Sequence, residues 1–319
     1  MDKKLDKTTV LTLFQRYGLI LLVIIMCIIL SIMKPTFLTS RNLLNILKQV
    51  SVNGIIAVGM TFILIAGQID ISVGSLVAAS GVIAGSVIAG SENVFLALIA
   101  AVAVCSAMGY VSGVMVAQFA VPPMIATLAM QTIARGFSLL YTGGATYQVA
   151  FSKKFSVIGK GDIGGFPVPV LIAILVVIAF AILLNKTKFG RKVFAVGGNY
   201  KAATASGINC KRTLRMVFAI SGALSGLAGV VLASRVGAGQ PSIGIGYEMD
   251  AIAACVIGGT STLGGSGSIF GTVVGVIIIG LISNALTLLN VNVYAQDIVK
   301  GVVIASAVIF DMASKKNSR

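Results

Sequence analysis

The sequence has 319 residues, of which 57% are hydrophobic and 10% are charged, and its mean hydropathy of +1.03 excludes the soluble class. The net charge of +15 could suggest nucleic acid, but the cations stand at the borders of apolar runs and not in an aromatic-laced patch. Anionic lipid and membrane topology explain them better. The composition therefore predicts a polytopic membrane protein.

Apolar stretches along the chain predict an all-α protein with about ten transmembrane helices. They cover residues 17–33, 49–69, 73–90, 94–118, 124–141, 168–184, 216–234, 249–259, 269–290 and 294–310. We interpret the whole chain, 1–319, as one transmembrane domain with a cytoplasmic N-terminal segment, 1–16. Fifteen cations fall on the predicted inner side and seven on the outer side. This bias predicts that both termini are cytoplasmic.

The largest predicted outer segment, 142–167, is rich in Gly and Lys. We expect some ordered structure in it, at the point where a delivered substrate or an extracellular partner would arrive. A plain connecting loop is the alternative.

The only long polar interruption is the segment 185–215, which holds eight cations and no acid. Gly197, Gly198 and Asn199 predict a turn and a helix cap, and residues 200–206 a short helix of mostly small side chains that stops at Gly207. The segment is either a solvated basic loop that only fixes topology or a docking helix for a cytoplasmic partner. Small side chains would let such a partner approach the backbone closely.

Two irregular segments at membrane depth, 66–75 and 238–247, resemble each other and are expected to face opposite sides. This pattern predicts two inverted halves with broken helices, 45–140 and 217–312, and a solute path between them. Chance similarity of two Gly-rich segments is the alternative. The candidate path residues are Gln68, Asp70, Ser72, Gly74, Ser75, Gln240, Gly246, Tyr247 and Glu248.

Charges within the apolar stretches need partners. Asp297 and Lys300 lie three residues apart and are expected to pair on one helix. Arg135 is expected to pair with Asp70 or Glu248 across the bundle, or to contact solute.

Chemistry on this chain is not indicated by any motif. The Gly/Ser-rich run 258–268 lacks the Lys of a phosphate loop, the four cysteines are scattered, and histidine is absent. We therefore expect no metal site, no cofactor, no nucleotide hydrolysis and no enzyme activity.

Three motifs in order resemble the ribose-type permease subunits of ABC importers over nearly the whole chain. They are IDISVGS at 69–75, the AVGGN element at 195–199 with its flanking residues, and GYEMDAIAA at 246–254 running into GGTS at 258–261. The resemblance implies a bacterial cytoplasmic-membrane protein that works with a second permease copy, ATP-binding subunits that hold ATP and Mg²⁺, and an extracytoplasmic sugar-binding protein.

By the same resemblance, the segment 185–215 would contain the coupling helix that contacts the ATPase. The residues implied in coupling are Gly190, Arg191, Gly197, Gly198, Asn199, Ala202, Ala203, Ser206 and Gly207. The function implied is import of a monosaccharide, with ribose first among several sugars; the sugar itself, and whether two copies or two different permeases assemble, stay open.

An ion-driven secondary transporter is the alternative function, because such carriers also have inverted repeats and broken helices. Asp70 would then serve as the coupling residue, but the basic docking segment would have no purpose. A channel or a scaffold is a third possibility.

Overall fold

The computed structural model describes residues 7–316, and it describes the side chains of residues 20–309 and 312. Thirteen α-helices lie in the described range. They are α1 (Lys7–Met33), α2 (Ser40–Ile65), α3 (Val73–Ser91), α4 (Val94–Phe119), α5 (Pro123–Thr142), α6 (Lys153–Lys160), α7 (Val168–Lys186), α8 (Lys188–Gly198), α9 (Tyr200–Ala205), α10 (Cys210–Val236), α11 (Tyr247–Ile257), α12 (Ile269–Leu288) and α13 (Val293–Lys316). The prediction of an all-α membrane fold is confirmed at this level.

Local sequence signals account for many helix ends. Side-chain oxygens accept hydrogen bonds from free backbone N–H groups at the starts of α2, α4, α9, α10 and α12, as expected for Ser, Thr and Asn caps. At the ends of α5 and α10, Gly143 and Gly237 adopt the left-handed conformation that stops a helix. A 3₁₀ turn, Pro35–Leu38, separates α1 from α2.

Six of the described helices are long and apolar enough to cross a membrane: α2, α3, α4, α7, α10 and α12. Each of the ten predicted stretches overlaps a helix, but the count of ten crossings stays a prediction. The predicted stretch 249–259 corresponds to α11, which has only 11 residues. Its length is about 16 Å, roughly half the thickness of the hydrocarbon core. It cannot cross the membrane alone, so the interpretation of 249–259 as a complete span was wrong.

The centre of the bundle is α10, which packs against α4, α3 and α2. Small residues allow this packing. A Cβ on Gly222 would overlap the carbonyl oxygen of Cys105 in α4, and one on Gly229 would overlap Val77 O in α3. Acyl chains are as apolar as the helices, so the hydrophobic effect does not drive helices together in lipid. Close van der Waals contact between their backbones does so instead.

The segment 142–167 holds the ordered structure that was predicted. It contains α6 and two short strands, β2 (Asp162–Ile163) and β3 (Phe166–Pro167), which pair with each other. A further strand, β1 (Tyr147–Gln148), pairs with β4 (Ala238–Gly239), which directly follows α10. This pairing joins the segment 142–167 to the second irregular segment.

Candidate translocation and coupling site

The first irregular segment joins α2 to α3 and is organised by Asp70. The buried carboxylate accepts hydrogen bonds from Ser72 N at 3.0 Å, from Ser72 Oγ at 2.6 Å and from Ser221 Oγ of α10 at 2.9 Å. In the described part of the chain, the one ion pair within 4.0 Å is elsewhere, between Asp250 and Lys300. Three neutral groups therefore satisfy Asp70, shape the segment and tie it to α10.

The second irregular segment joins β4 to α11 and is held by Arg135 of α5. One guanidinium nitrogen, Nη1, donates to Pro241 O at 2.5 Å and to Ile243 O at 2.8 Å. Among the described residues, no ion pair within 4.0 Å joins Arg135 to Asp70 or Glu248, and the expected attraction is present only to Glu248, at longer range. A helix-borne guanidinium instead supplies the hydrogen bonds that an irregular backbone lacks at membrane depth.

The two irregular segments touch each other at the start of α3. A Cβ on Gly74 would overlap both Gly244 O and a carboxylate oxygen of Glu248. Gly244 has φ +82°, and a Cβ there would lie 2.5 Å from Gly74 O. Only glycine fits both positions, because the backbones themselves are in contact.

The segments reach this contact from opposite ends of α10. Gly67 lies against Gly197, in the polar segment that leads into the start of α10, whereas β4 follows the end of α10. Opposite approaches are what inverted halves require. The inverted symmetry of residues 45–140 and 217–312 nevertheless stays a prediction.

The predicted path residues are distributed over this arrangement. Gly74, Ser75 and Glu248 lie at or beside the contact of the two segments, and Gly246 and Tyr247 begin α11 next to it. Asp70 and Ser72 are buried behind it against α10. Gln68 lies near the polar segment, where its amide nitrogen donates to Ala66 O, and Gln240 follows β4 at the opposite end. Thus the structure brings together only part of the set.

A charged pair connects α11 to α13. Lys300 Nζ lies 3.2 Å from Asp250 Oδ2, and the exposed fractions of the two side chains are 25% and 8%. The expected pairing of Lys300 with Asp297 on the same helix was wrong. The half-length helix α11 is thereby fixed to the last long helix of the chain.

The polar segment 185–215 contains two complete helices, α8 and α9, between the end of α7 and the start of α10. Asn199 Oδ1 accepts from Ala202 N at 2.9 Å and caps α9, and Gly207 has φ +79° just past its end, as predicted. Gly197 and Gly198 do not form the expected turn, since they are the last residues of α8. Ala202 is exposed, whereas Ala203 is only 4% exposed and packs into the core. The exposed residues of α9 are therefore small from Ala202 onward, with the larger Tyr200 and Lys201 at its start.

The predicted coupling residues Gly190 and Gly197 have internal packing roles. A Cβ on Gly190 would overlap Leu184 O at the end of α7, and a Cβ on Gly197 would overlap Ile65 O at the end of α2. Gly265 N donates to the same Ile65 O at 2.9 Å. We call this contact of the α8 end, the α2 end and the 258–268 loop the glycine junction. It connects the polar segment directly to the first irregular segment.

The remaining coupling candidates face outward. Arg191, Gly198, Ser206 and Gly207 are exposed. A Cβ on Gly198 would meet nothing within 4 Å, so this chain's own packing does not require glycine there. Seven of the eight cations of the segment are also exposed; they are Lys186, Lys188, Arg191, Lys192, Lys201, Lys211 and Arg212. The eighth, Arg215, is partly buried and donates to Tyr110 Oη at 3.3 Å.

Comparison with known proteins identifies the family. Residues 42–308 match the family described as the permease component of the branched-chain amino acid transport system. The chain belongs to this permease family. It is 44% identical over 299 residues to the ribose import permease protein RbsC of Bacillus subtilis, covering 93% of this chain and 92% of that protein. RbsC of Escherichia coli K12 is 43% identical, with 94% of each chain covered.

A permease named for a different sugar is also similar. The L-arabinose ABC transporter permease protein AraH of Azospirillum brasilense is 38% identical over 307 residues, covering 96% of this permease and 90% of the relative. No solved structure matches the chain. The predicted membership of the ribose-type ABC permeases is confirmed, and the relatives are named as transport components, in agreement with the prediction that the chain is not an enzyme.

Sequence reasoning missed three features of the permease: helix α8, the glycine junction and the role of Arg135. The first had a usable signal, because Phe189, Val193 and Val196 recur at helical spacing and are partly or fully buried. The junction had a weaker signal, namely glycines in three separate segments. Nothing in the sequence indicated that Arg135 bonds to carbonyl groups.

Proposed function

We propose that this permease is the membrane-spanning subunit of an ATP-driven importer of a monosaccharide, ribose or a closely related sugar. The observation that carries the proposal is its 43–44% identity to ribose import permeases over more than nine-tenths of their length. Similarity at 38% to an arabinose permease favours a pentose class over a single sugar.

In this proposal, α9 is the coupling helix that contacts a cytoplasmic ATPase. Its outer face offers Ala202 and exposed small neighbours, with cations around it that suit an acidic groove on the partner. The glycine junction would carry a displacement of α8 and α9 to the end of α2. ATP and Mg²⁺ are bound by the partner, and this chain contributes no cofactor.

The solute path proposed here runs along the contact of the two irregular segments. Their glycines bring polar backbone groups to membrane depth, and the neighbouring hydroxyl and amide side chains can form the neutral hydrogen bonds that a sugar needs. An extracytoplasmic binding protein would deliver the sugar near the segment 142–167. A second permease copy would complete the path, and movement of the two inverted halves would alternate its opening.

The topology that fits this proposal has both termini in the cytoplasm. It rests on the excess of cations in the polar segment and at both termini. Lys154 and Lys192 are both exposed. A single cysteine at either position, in a variant without the native cysteines, therefore shows on which side of the membrane that position lies. We expect an impermeant thiol reagent to label position 154 from outside and position 192 only from inside; the reverse pattern would invert the topology.

The decisive experiment is reconstitution of the permease with its ATPase and sugar-binding protein in liposomes. We expect labelled ribose to accumulate when ATP is supplied on the ATPase side and not when only a proton or sodium gradient is imposed. Uptake driven by the gradient without the ATPase would identify a secondary transporter and refute the proposal.

A further inference from the structure

A polar groove lies between α3 and α5, beside the contact of the two irregular segments. Its volume is about 500 Å³, within the range of small-molecule sites. Its lining consists of Ser75, Gln131, Thr132, Arg135, Gly136 and Leu139. Four of these six residues have polar side chains, although the groove lies between two predicted membrane helices. Polar side chains at membrane depth cost free energy unless they are hydrogen-bonded. A ligand that bonds to them would account for their presence here.

The strongest observation is the hydroxyl of Ser75 in the first turn of α3. Ser75 is 1% exposed, and its Oγ has no hydrogen-bond partner in the described structure. Other buried serines of the bundle are bonded, for example Ser225 Oγ, which donates to Ser221 O at 2.9 Å. A buried hydroxyl left without a partner is destabilising. Because Ser75 lines the groove, a ligand there could supply the missing bond.

The α5 side of the groove offers further unused donors and acceptors. Arg135 uses one of its three guanidinium nitrogens for Pro241 O and Ile243 O, and the other N–H donors bond to no described residue. Gln131 lies one turn before Arg135, and its amide bonds to no described residue. Gly136 follows Arg135 on α5 and also lines the groove. A Cβ at this position would meet nothing within 4 Å, so the absence of a side chain leaves the groove wider.

The chemistry of these groups selects the ligand class. A hydroxyl, an amide and a partly engaged guanidinium offer donors and acceptors with a single charge, and no carboxylate lines the groove. They complement the vicinal hydroxyl groups of a neutral sugar better than a cation or a strongly charged anion. In addition, Arg135 connects the groove to the second irregular segment, next to the contact of Gly74 with Gly244.

We propose that this groove is a transit subsite in which Ser75, Gln131 and Arg135 hydrogen-bond the hydroxyl groups of a monosaccharide as it crosses the membrane. The proposal rests on the proposed import function and adds residues and a location to it. Arg135 has a second effect there, because the same guanidinium positions residues 241–243.

The test measures ATP-driven ribose uptake by reconstituted variants at saturating loaded binding protein. Ser75→Ala removes no bond within the protein, so its melting temperature should stay equal or rise, whereas uptake should fall roughly three- to ten-fold through loss of one sugar contact. Gly136→Val should narrow the groove with a similar or larger loss. Gly90→Val is the matched control, because a Cβ on this α3 glycine also meets nothing within 4 Å.

Several outcomes would overturn the subsite. Uptake by Ser75→Ala and Gly136→Val equal to that of Gly90→Val would show that sugar does not use the groove. Inhibition of wild-type uptake by inorganic phosphate, lost in Arg135→Gln, would assign the groove to an anion instead. Failure of the wild-type protein to take up ribose, arabinose or any other pentose with ATP would refute the import function itself, so the two failures are distinguishable.

Discussion

Asp70 allows a quantitative test of whether a buried carboxylate in this permease is structural. Asp70→Ala removes all three hydrogen bonds and leaves the hydroxyls of Ser72 and Ser221 buried, at 0% and 1% exposure. Each buried donor left without its acceptor costs about 1–3 kcal/mol, so loss of the three bonds should lower stability by about 3–5 kcal/mol after partial relaxation. Asp70→Asn keeps an acceptor for Ser72 and should lose about 1–2 kcal/mol.

Thermal unfolding in detergent measures these losses. For a chain of this size, 1 kcal/mol corresponds to roughly 2 °C, so the Ala variant should melt ~6–10 °C lower and the Asn variant ~2–4 °C lower. Ser221→Ala, which removes a single donor at 2.9 Å, is the matched control and should resemble the Asn variant. Asp70→Asn should also keep ATP-driven uptake. An unchanged melting temperature together with a lost dependence on an ion gradient would refute the structural role and make Asp70 an ion-coupling residue.

Two further predictions concern the polar segment. Ala202→Trp should release the ATPase during co-purification and reduce uptake more than ten-fold while the permease still inserts, because Ala202 is exposed on the proposed docking face; Ala145→Trp, at an exposed position of the segment 142–167, should retain the ATPase. Equal ATPase recovery from both variants would show that α9 does not contact the ATPase. The second prediction concerns the glycine junction: Gly197→Ala should lower the melting temperature because its Cβ overlaps Ile65 O, whereas Gly198→Ala, in open space, should melt like the wild type. If Gly197→Ala also melts normally, the glycine junction is not close-packed in solution.

Local signals in the sequence predicted the helices well. The apolar runs overlap helices, Asn199 caps α9, and Gly207 ends it in the left-handed conformation. These signals act within a few residues, so they can be read without knowing the fold. The family could be predicted for a similar reason, because its motifs are short and contiguous in the chain.

Contacts between distant residues could not be predicted in the same way. Helical spacing suggested that Lys300 pairs with Asp297, yet its partner is Asp250, 50 residues earlier. Charge likewise suggested a carboxylate for Arg135, yet the irregular backbone at Pro241 and Ile243 had the greater need for donors. The partner of a charged side chain depends on how the helices are arranged in space. Residue spacing along one helix does not encode that arrangement.

The pair between Asp250 and Lys300 also bears on how the chain enters the membrane. A lysine at the centre of an inserting helix costs about 3 kcal/mol, and Lys300, the eighth residue of α13, lies within the apolar stretch predicted there. During synthesis, α11 leaves the ribosome before α13 and already carries the carboxylate that α13 needs. We therefore expect Asp250 to lower the cost of inserting α13, so Asp250→Ala should reduce the fraction of chains whose last helix inserts.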